Sequence, residues 1–408
     1  MDITTEQIGT FEKKIYTFLV KCLSKDEFIR FDKIFDFCLP KGLKNLNWPE
    51  ETYVEVKYTL MYNTLTKIKR GYDLCKPQKL VVIVMDKDVV PPRLESDLKI
   101  TGRNIEIMTY DDLVKKNNSI NKIGTRHRIN YEMEDSIYRE NMDSHIREKA
   151  KDALKKDKVS IFLGAGVSAS AGVVTWNNLI EQLCIKKRIS KIDSDIISVE
   201  KGRYIIDQYK QQAKEIPDDF YNDMRDILYA NHRPSALISS IAKLIMKCDV
   251  ESIISYNYDN LVEQEVSKHK GCFPVYDKSR PIDKNSFSIY HVHGYIPQIG
   301  DWSPIILGER EYHKIYQESY NWGNVEQLHA LCRSTCFFIG LSMTDPNLRR
   351  LIDISLDGSD NDPVHYAFLR RIEYNVPFME TMMRGFGVNC IWYDEHKDLP
   401  YLLDDLVK

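Results

Sequence analysis

The segment Val159–Ser168, which reads VSIFLGAGVS, constrains the fold more than any other stretch of the chain. A short β-favouring run leads directly into a glycine-rich turn that ends in a hydroxyl. An apolar run of that length reads as a strand buried in a parallel sheet. The turn Gly164-Ala165-Gly166 is expected to bring its backbone close to a ligand, because glycine has no Cβ to stand in the way. Ser168 and the helical residues after it are expected to offer N–H groups to a phosphate. A tight strand-to-helix turn with no ligand has the same local pattern, and Gly-x-Gly alone does not separate the two.

The rest of the chain supplies context. At 408 residues it is long enough for two or three domains. A net charge of −3 gives no global basic field, so any nucleic-acid binding must come from a local patch. Nine cysteines occur without a CxxC pair, the closest being Cys332 and Cys336. That spacing fits neither a zinc ribbon nor a secreted disulfide scaffold, and free thiols in a reducing cytosol are expected. Met1–Thr10 has no apolar core of the signal-peptide kind. No apolar run approaches the roughly 20 residues of a membrane helix. The expected location is the cytoplasm.

Periodicity divides the chain at about residue 125, giving units of 1–125 and 126–408. The first reads as α/β: a helix over Glu6–Cys22 with Phe11, Ile15, Phe18 and Leu19 at helical spacing, a strand Thr52–Tyr58, a helix Leu60–Lys69, a strand Lys79–Met85, a helix Arg93–Leu98 and a strand Ile105–Thr109. Val114–Arg128 turns polar and reads as a linker. A charged helix Asp135–Lys156 precedes the glycine-rich turn. Further strands are expected at Ser252–Tyr256, Ser288–Val292, Pro304–Leu307, Cys336–Gly340, His365–Leu369 and Val388–Trp392. Strands alternating with helices favour a doubly wound parallel sheet. Residues 185–247 read as a helical module inserted between its first two strands.

Three more strand ends carry polar groups, and in an open α/β sheet that edge is where ligands bind. Asn257 and Asp259 lie two apart after Ser252–Ser255; either would also serve as a helix N-cap. His291-Val292-His293-Gly294 ends another strand, and at most one of the two histidines is expected to face the pocket. The glycine lets the chain turn sharply beside His293. Phe338–Leu348 ends in Gly340, Ser342 and an N-capping Asp345.

In order and spacing, these four pieces resemble the sirtuin fold from about Asp135 to the C-terminus. The match is nearest to the sirtuin-like NAD hydrolases of bacterial antiphage defence. The fold class so implied is α/β, a sirtuin-type Rossmann-like parallel sheet with a helical insertion, preceded by a smaller α/β domain. The resemblance implies that Gly164, Ala165, Gly166 and Ser168 hold the NAD pyrophosphate, with Ser342 and Asp345 near the adenosine end. It implies that Asn257 positions the nicotinamide ribose and the attacking water, Asp259 supports the nicotinamide side, and His293, rather than His291, is the general base. An amide carbonyl and an imidazole of near-neutral pKa can orient and deprotonate a hydroxyl or water without adding positive charge. Deacetylase sirtuins carry two zinc-binding CxxC pairs, which are absent here, and a Phe-Arg where this chain has Val174-Thr175-Trp176. Both departures imply hydrolysis of free NAD, without zinc, rather than protein deacetylation. A dehydrogenase would want an acid about 20 residues past the turn. Helical, polar sequence lies there, so NAD is expected as substrate.

The first unit carries a second constellation. In Thr52–Tyr58, Glu55 and Lys57 share one face of the strand, and Asp36 arrives from a preceding strand end. Two acids and a lysine can hold Mg²⁺ and activate water; a surface Glu–Lys pair has the same pattern. The arrangement over about residues 20–115 resembles the restriction-endonuclease-like fold. The resemblance implies that Asp36 and Glu55 bind metal and that Lys57 stabilises the phosphorane or orients water. Lys41, Lys44, Lys67, Lys69 and Arg70 would hold a DNA backbone. A silent domain serving assembly is the alternative. The domain pairing resembles the sirtuin subunit that works with a HerA-type hexameric translocase, which implies a homo-oligomer with that ATPase as partner. The competing functional reading is a nuclease whose sirtuin-like part senses NAD or ADP-ribose.

Overall fold

The computed structural model describes residues 5–32, 34–57, 62–85, 103–120, 131–189, 192, 196–211, 215–278, 286–318, 320–356 and 364–408. The chain separates into two compact units, Met1–Lys149 and Ala150–Lys408. That boundary falls inside the helix Tyr131–Lys156, downstream of the polar stretch where periodicity divides the chain.

The first unit is built on a five-stranded sheet of β1 (Arg30–Phe31), β2 (Phe37–Leu39), β3 (Thr52–Lys57), β4 (Lys79–Val84) and β5 (Ile105–Thr109), in that spatial order. β1–β2 and β2–β3 are antiparallel, while β3–β4 and β4–β5 are parallel. Strand alternation sorts its side chains into two cores. Val54, Val56, Val81 and Ile83 pack with Phe11, Ile15 and Leu19 of the helix Thr5–Cys22. Tyr53, Leu80, Val82 and Val84 pack with Ile68 of the helix Tyr62–Cys75.

The start of the expected linker is a helix, Tyr110–Ile120. Its first turn is fixed reciprocally: the Asp112 amide donates to Thr109 Oγ1 at 3.1 Å, and the Thr109 amide donates to Asp112 Oδ2 at 3.2 Å. Such a box nucleates a helix even in polar sequence. The remainder of that linker, and the expected helix Arg93–Leu98, lie outside the described residues.

The second unit is a seven-stranded sheet of β6 (Val159–Leu163), β7 (Val250–Ser255), β8 (Cys272–Val275), β9 (Phe287–His291), β10 (Thr335–Ile339), β11 (His365–Arg370) and β12 (Val388–Tyr393). The spatial order is β12-β11-β10-β6-β7-β9-β8, and every pairing is parallel. β6 is fully buried, and its Phe162 ring lies 4.9 Å from Phe338 in the core. The chain winds outward from β6 to β8, then returns to the other side of β6 with β10. The strand order therefore reverses between β6 and β10, the place where an open α/β sheet leaves a crevice at its carboxyl edge. Helices Ser198–Lys210, Asp218–Tyr229 and Ala236–Lys247 form the expected insertion between β6 and β7.

Two strand assignments change. Pro304–Leu307 is irregular and forms no strand. Pro304 lacks an amide, and the neighbouring amides of Ser303 and Ile306 donate to the Tyr295 and His293 carbonyls at 2.8 Å each. The stretch is a strap across the end of β9. β8 is an addition that periodicity hides, because Pro274 interrupts it; proline is tolerated there because β8 is an edge strand.

Candidate active site at the carboxyl edge of the sheet

Turns after β6 and β10 interlock at the switch point. The Gly164 amide donates to the Ile339 carbonyl at 3.0 Å, and the Gly166 amide donates to the Gly340 carbonyl at 2.9 Å. A Cβ on Gly164 would lie 2.5 Å from the Gly340 oxygen, and one on Gly166 would lie 3.0 Å from Gly340 Cα. Gly340 itself has φ +67°, and its own Cβ would meet the Val167 nitrogen at 2.6 Å. The space that glycine leaves is thus filled by the neighbouring turn, so these glycines let two main chains touch. Ala165 and Gly166 form the exposed rim.

Asn257, Asp259 and Ser168 come together beneath that turn. Asn257 is buried; its Nδ2 donates to the Gly164 carbonyl at 2.9 Å and its amide donates to Ser255 Oγ at 3.2 Å. Neither bond is an N-cap. Asp259 does receive the Leu261 amide at 3.2 Å at the start of the helix Leu261–Val266, and it also accepts the Ser168 hydroxyl. Burial holds the Asp259 carboxyl above its ordinary range, with these two hydrogen bonds opposing it.

His291 and His293 are both buried, in different surroundings. Alternation does not separate them, since residues two apart on a strand share a face. What separates them is that β9 ends at His291 and the chain then turns. Gly294 has φ +97°, and a Cβ there would meet the strap at the Pro304 oxygen, 2.3 Å away. His291 contacts the Asn257 carbonyl and Glu263. His293 lies between Tyr256 and Tyr312, its ring 4.7 Å and 5.7 Å from theirs. Among the described residues its buried Nε2 has no hydrogen-bond partner, and it stands 3.9 Å from Asp345 Oδ2. Burial pulls the His293 pKa below the usual imidazole value, and Asp345 only partly offsets this. His293 is therefore neutral at neutral pH, with a ring nitrogen ready to accept a proton.

Asp345 caps the helix Pro346–Ser355, accepting the Leu348 amide at 2.8 Å, while its second oxygen accepts the Tyr312 hydroxyl at 2.8 Å. It is thus a neighbour of the candidate base. Ser342 is exposed and bonds Thr344 Oγ1 at 2.7 Å. Glu263 and Tyr312 are the site residues that sequence reasoning missed. Glu263 sits in a helical segment where an acid ordinarily faces water, and Tyr312 arrives on the helix Glu309–Gln317, which no motif marked.

The insertion bears on this edge through the strap. A Cβ on Gly202 would lie 2.2 Å from the Leu307 oxygen, and one on Gly308 would lie 2.6 Å from the Arg203 nitrogen. Arg203 pairs with Glu309 at 2.8 Å, at the start of the helix carrying Tyr312.

In the first unit, Asp36, Glu55 and Lys57 also converge. Lys57 Nζ lies 2.7 Å from Glu55 Oε1 and 3.7 Å from Asp36 Oδ2. The Val56 amide donates to Asp36 Oδ2 at 2.6 Å, and the Asp36 amide donates to Glu55 Oε2 at 3.3 Å. Burial and the Glu55 charge hold the Asp36 carboxyl well above its usual range, with Lys57 opposing them. Among the described residues no group of three or more His, Cys, Asp or Glu is placed to hold a metal ion.

Residues 251–390 match the SIR2-like domain family. The chain is 27% identical over 283 residues to the NAD(+) hydrolase ThsA of Enterococcus faecium, covering 63% of this chain and 56% of that protein. It is 24% identical to proteins of the same name from Cytobacillus dafuensis, covering 55% of this chain and 43% of that one, and from Acinetobacter baumannii (strain 532279), covering 62% and 54%. The chain spans about half the length of these curated relatives. A solved structure described as "Structural Basis for the Mechanism and Regulation of Sir2 Enzymes" superposes with a TM-score of 0.36 at 16% identity, over 65% of this chain and 98% of that one. The second unit has a sirtuin-type Rossmann-like fold.

Proposed function

We propose that the second unit hydrolyses NAD to ADP-ribose and nicotinamide. The observation that carries the reading is the pairing, at one sheet edge, of a neutral imidazole whose Nε2 has no partner among the described residues with a buried amide anchored to the glycine turn. Relatives named NAD(+) hydrolase support it. In this reading Ala165 and Gly166 meet the pyrophosphate, while Gly164 and Ser168 hold the turn from below. Asn257 Oδ1 orients the nicotinamide ribose and the incoming water, Asp259 supports the nicotinamide side, and His293 Nε2 takes the proton. Ser342 belongs toward the adenosine end. Asp345 steers the His293 ring. The test is NAD consumption by the purified protein, which should disappear in Asn257→Ala and His293→Ala; NAD left intact under every activating condition would sink the reading.

The same reading assigns the chain to antiphage defence by NAD depletion in the cytoplasm, as a homo-oligomer with a HerA-type translocase as partner. No helix among the described residues is long and apolar enough to cross a membrane.

A second activity is favoured by the convergence of Asp36, Glu55 and Lys57 at the β2–β3 edge. Two carboxylates held against their mutual repulsion in a half-buried place form a hard-oxygen donor pair that suits Mg²⁺, with water completing the shell. Asp36 and Glu55 would hold the ion, which would supply an activated water for phosphodiester hydrolysis. Lys57 would face the phosphate. Mg²⁺-dependent DNA cleavage that Lys57→Ala abolishes is the expected result, and no cleavage by the full chain with any DNA overturns it.

A further inference from the structure

We propose that Glu263 and His291 form a buried positioning relay for Asn257, and that the relay works only while His291 carries both ring protons. The inference rests on the NAD-cleaving reading of the site. His291, the last residue of β9, places Nδ1 2.9 Å from the Asn257 carbonyl oxygen, and its Nε2 contacts Glu263 Oε1. A carbonyl oxygen can only accept a hydrogen bond, and so can a carboxylate. With Glu263 ionised, both ring nitrogens donate, which makes the ring an imidazolium. The buried Glu263 charge is then matched by a buried opposite charge. From His291 the chain of bonds continues through Asn257, whose Nδ2 holds the Gly164 carbonyl. Glu263, His291, Asn257 and Gly164 thus link the helix Leu261–Val266, the end of β9, the end of β7 and the nucleotide turn.

The surroundings fit this charge. Glu263 faces His291 from the helix, and Asp259 acts on it from the loop before that helix. The Tyr295 ring lies 4.6 Å from the imidazole, beyond the end of β9. Tyr229 on the helix Asp218–Tyr229 and Cys272 on β8 feel the Glu263 charge from farther out. Burial alone would strip the proton from His291. Glu263, the Asn257 carbonyl and Asp259 outweigh it and hold the pKa above the ordinary imidazole value. The two histidines are therefore pushed in opposite directions, His293 toward the neutral base and His291 toward the imidazolium that donates from both ring nitrogens. Loss of the His291 proton on the alkaline side leaves either Asn257 or Glu263 without a donor, and Asn257 loses its fixed orientation.

The test is the pH dependence of kcat and KM for NAD in the wild type, His291→Gln, Glu263→Gln and the double variant, with thermal unfolding of each. The expected result is a fall in kcat of about 10–100-fold at pH 7 with KM nearly unchanged, the scale of a misplaced catalytic group. The alkaline limb should vanish while the acid limb set by His293 stays, and the double variant should be no worse than either single one. A folded His291→Gln with wild-type kcat and an unchanged alkaline limb overturns the proposal, as do losses that multiply. Selective ¹⁵N labelling of histidine gives a readout that needs neither variants nor turnover. Two protonated His291 nitrogens at pH 7 support the relay, and one overturns it. If the wild type cleaves no NAD, the reaction reading fails while the ¹⁵N result still decides the charge state.

Discussion

Asn257 donates its side-chain amide to the Gly164 carbonyl at 2.9 Å, so the residue proposed to meet the substrate also holds the turn proposed to grip it. Asn257→Ala should lower NAD cleavage by about 10²–10⁴-fold, the usual size of a lost catalytic contact. Its stability cost should be only about 1 kcal/mol. Asn257→Asp should be the less stable of the two by roughly 1–2 kcal/mol, because it sets one acceptor against another. Urea denaturation beside an NAD assay checks both, and equal stabilities would contradict the assigned bond.

Gly340→Ala is expected to cost about 2–4 kcal/mol. It combines the strain of φ +67° with a methyl group 2.6 Å from the Val167 nitrogen. Gly300→Ala is the control. Its φ of +106° is also unfavourable, but no atom of the described residues lies within 4 Å of the new carbon, so about 1 kcal/mol is expected. Thermal unfolding should rank them in that order.

The acid limb of activity should lie below the ordinary imidazole range, because burial depresses the His293 pKa. Asp345 is the group that raises it. Asp345→Asn keeps a capping side chain and removes the charge, so the limb should move further toward acid. A pH profile of kcat/KM decides this; a shift toward neutral pH contradicts the assigned contact.

His365 should make the fold acid-labile. The Cys336 amide donates to His365 Nδ1 at 3.1 Å in a buried place, and burial pulls the pKa down to about 4. Above about pH 6.5 the ring is neutral folded or unfolded, and there is no effect. As pH falls below that, only the unfolded chain takes the proton. Stability is therefore lost progressively from about pH 6.5 down to about pH 4, by roughly 3 kcal/mol at most. His293 acts in the same direction and His291 in the opposite one, so the measurement is the difference between wild type and His365→Gln at pH 7 and pH 5. A difference that does not change with pH would refute it.

What the sequence makes legible is whatever one segment decides alone. β6 could be read because every one of its residues is buried, and the polar strand ends could be read because each follows such a run. β8 could not, because Pro274 breaks its pattern and only its place at the sheet edge permits it. The Tyr110–Ile120 helix was hidden because its start is decided by a reciprocal bond between Thr109 and Asp112, while its later residues are polar.

In the site, residue types were visible and their pairings were not. That Glu263 meets His291 depends on the register of β7 and β9, which places distant residues side by side. Gly164 and Gly166 also make room for Gly340, far along the chain, a main-chain contact that no local pattern reveals.

The Gly202 and Gly308 contacts have a consequence for how such a molecule can be rebuilt. Each side chain is missing because another main chain occupies its place, so the insertion and the strap are shaped as mould and cast. A chimera that imports the insertion from another protein would arrive without the matching strap. Its helix would ride high on the strap and lift the segment to which the His293 carbonyl is bonded. Grafts at this edge of the sheet would have to carry residues 198–210 and 303–310 together, although most of the second unit's first half lies between them in the chain.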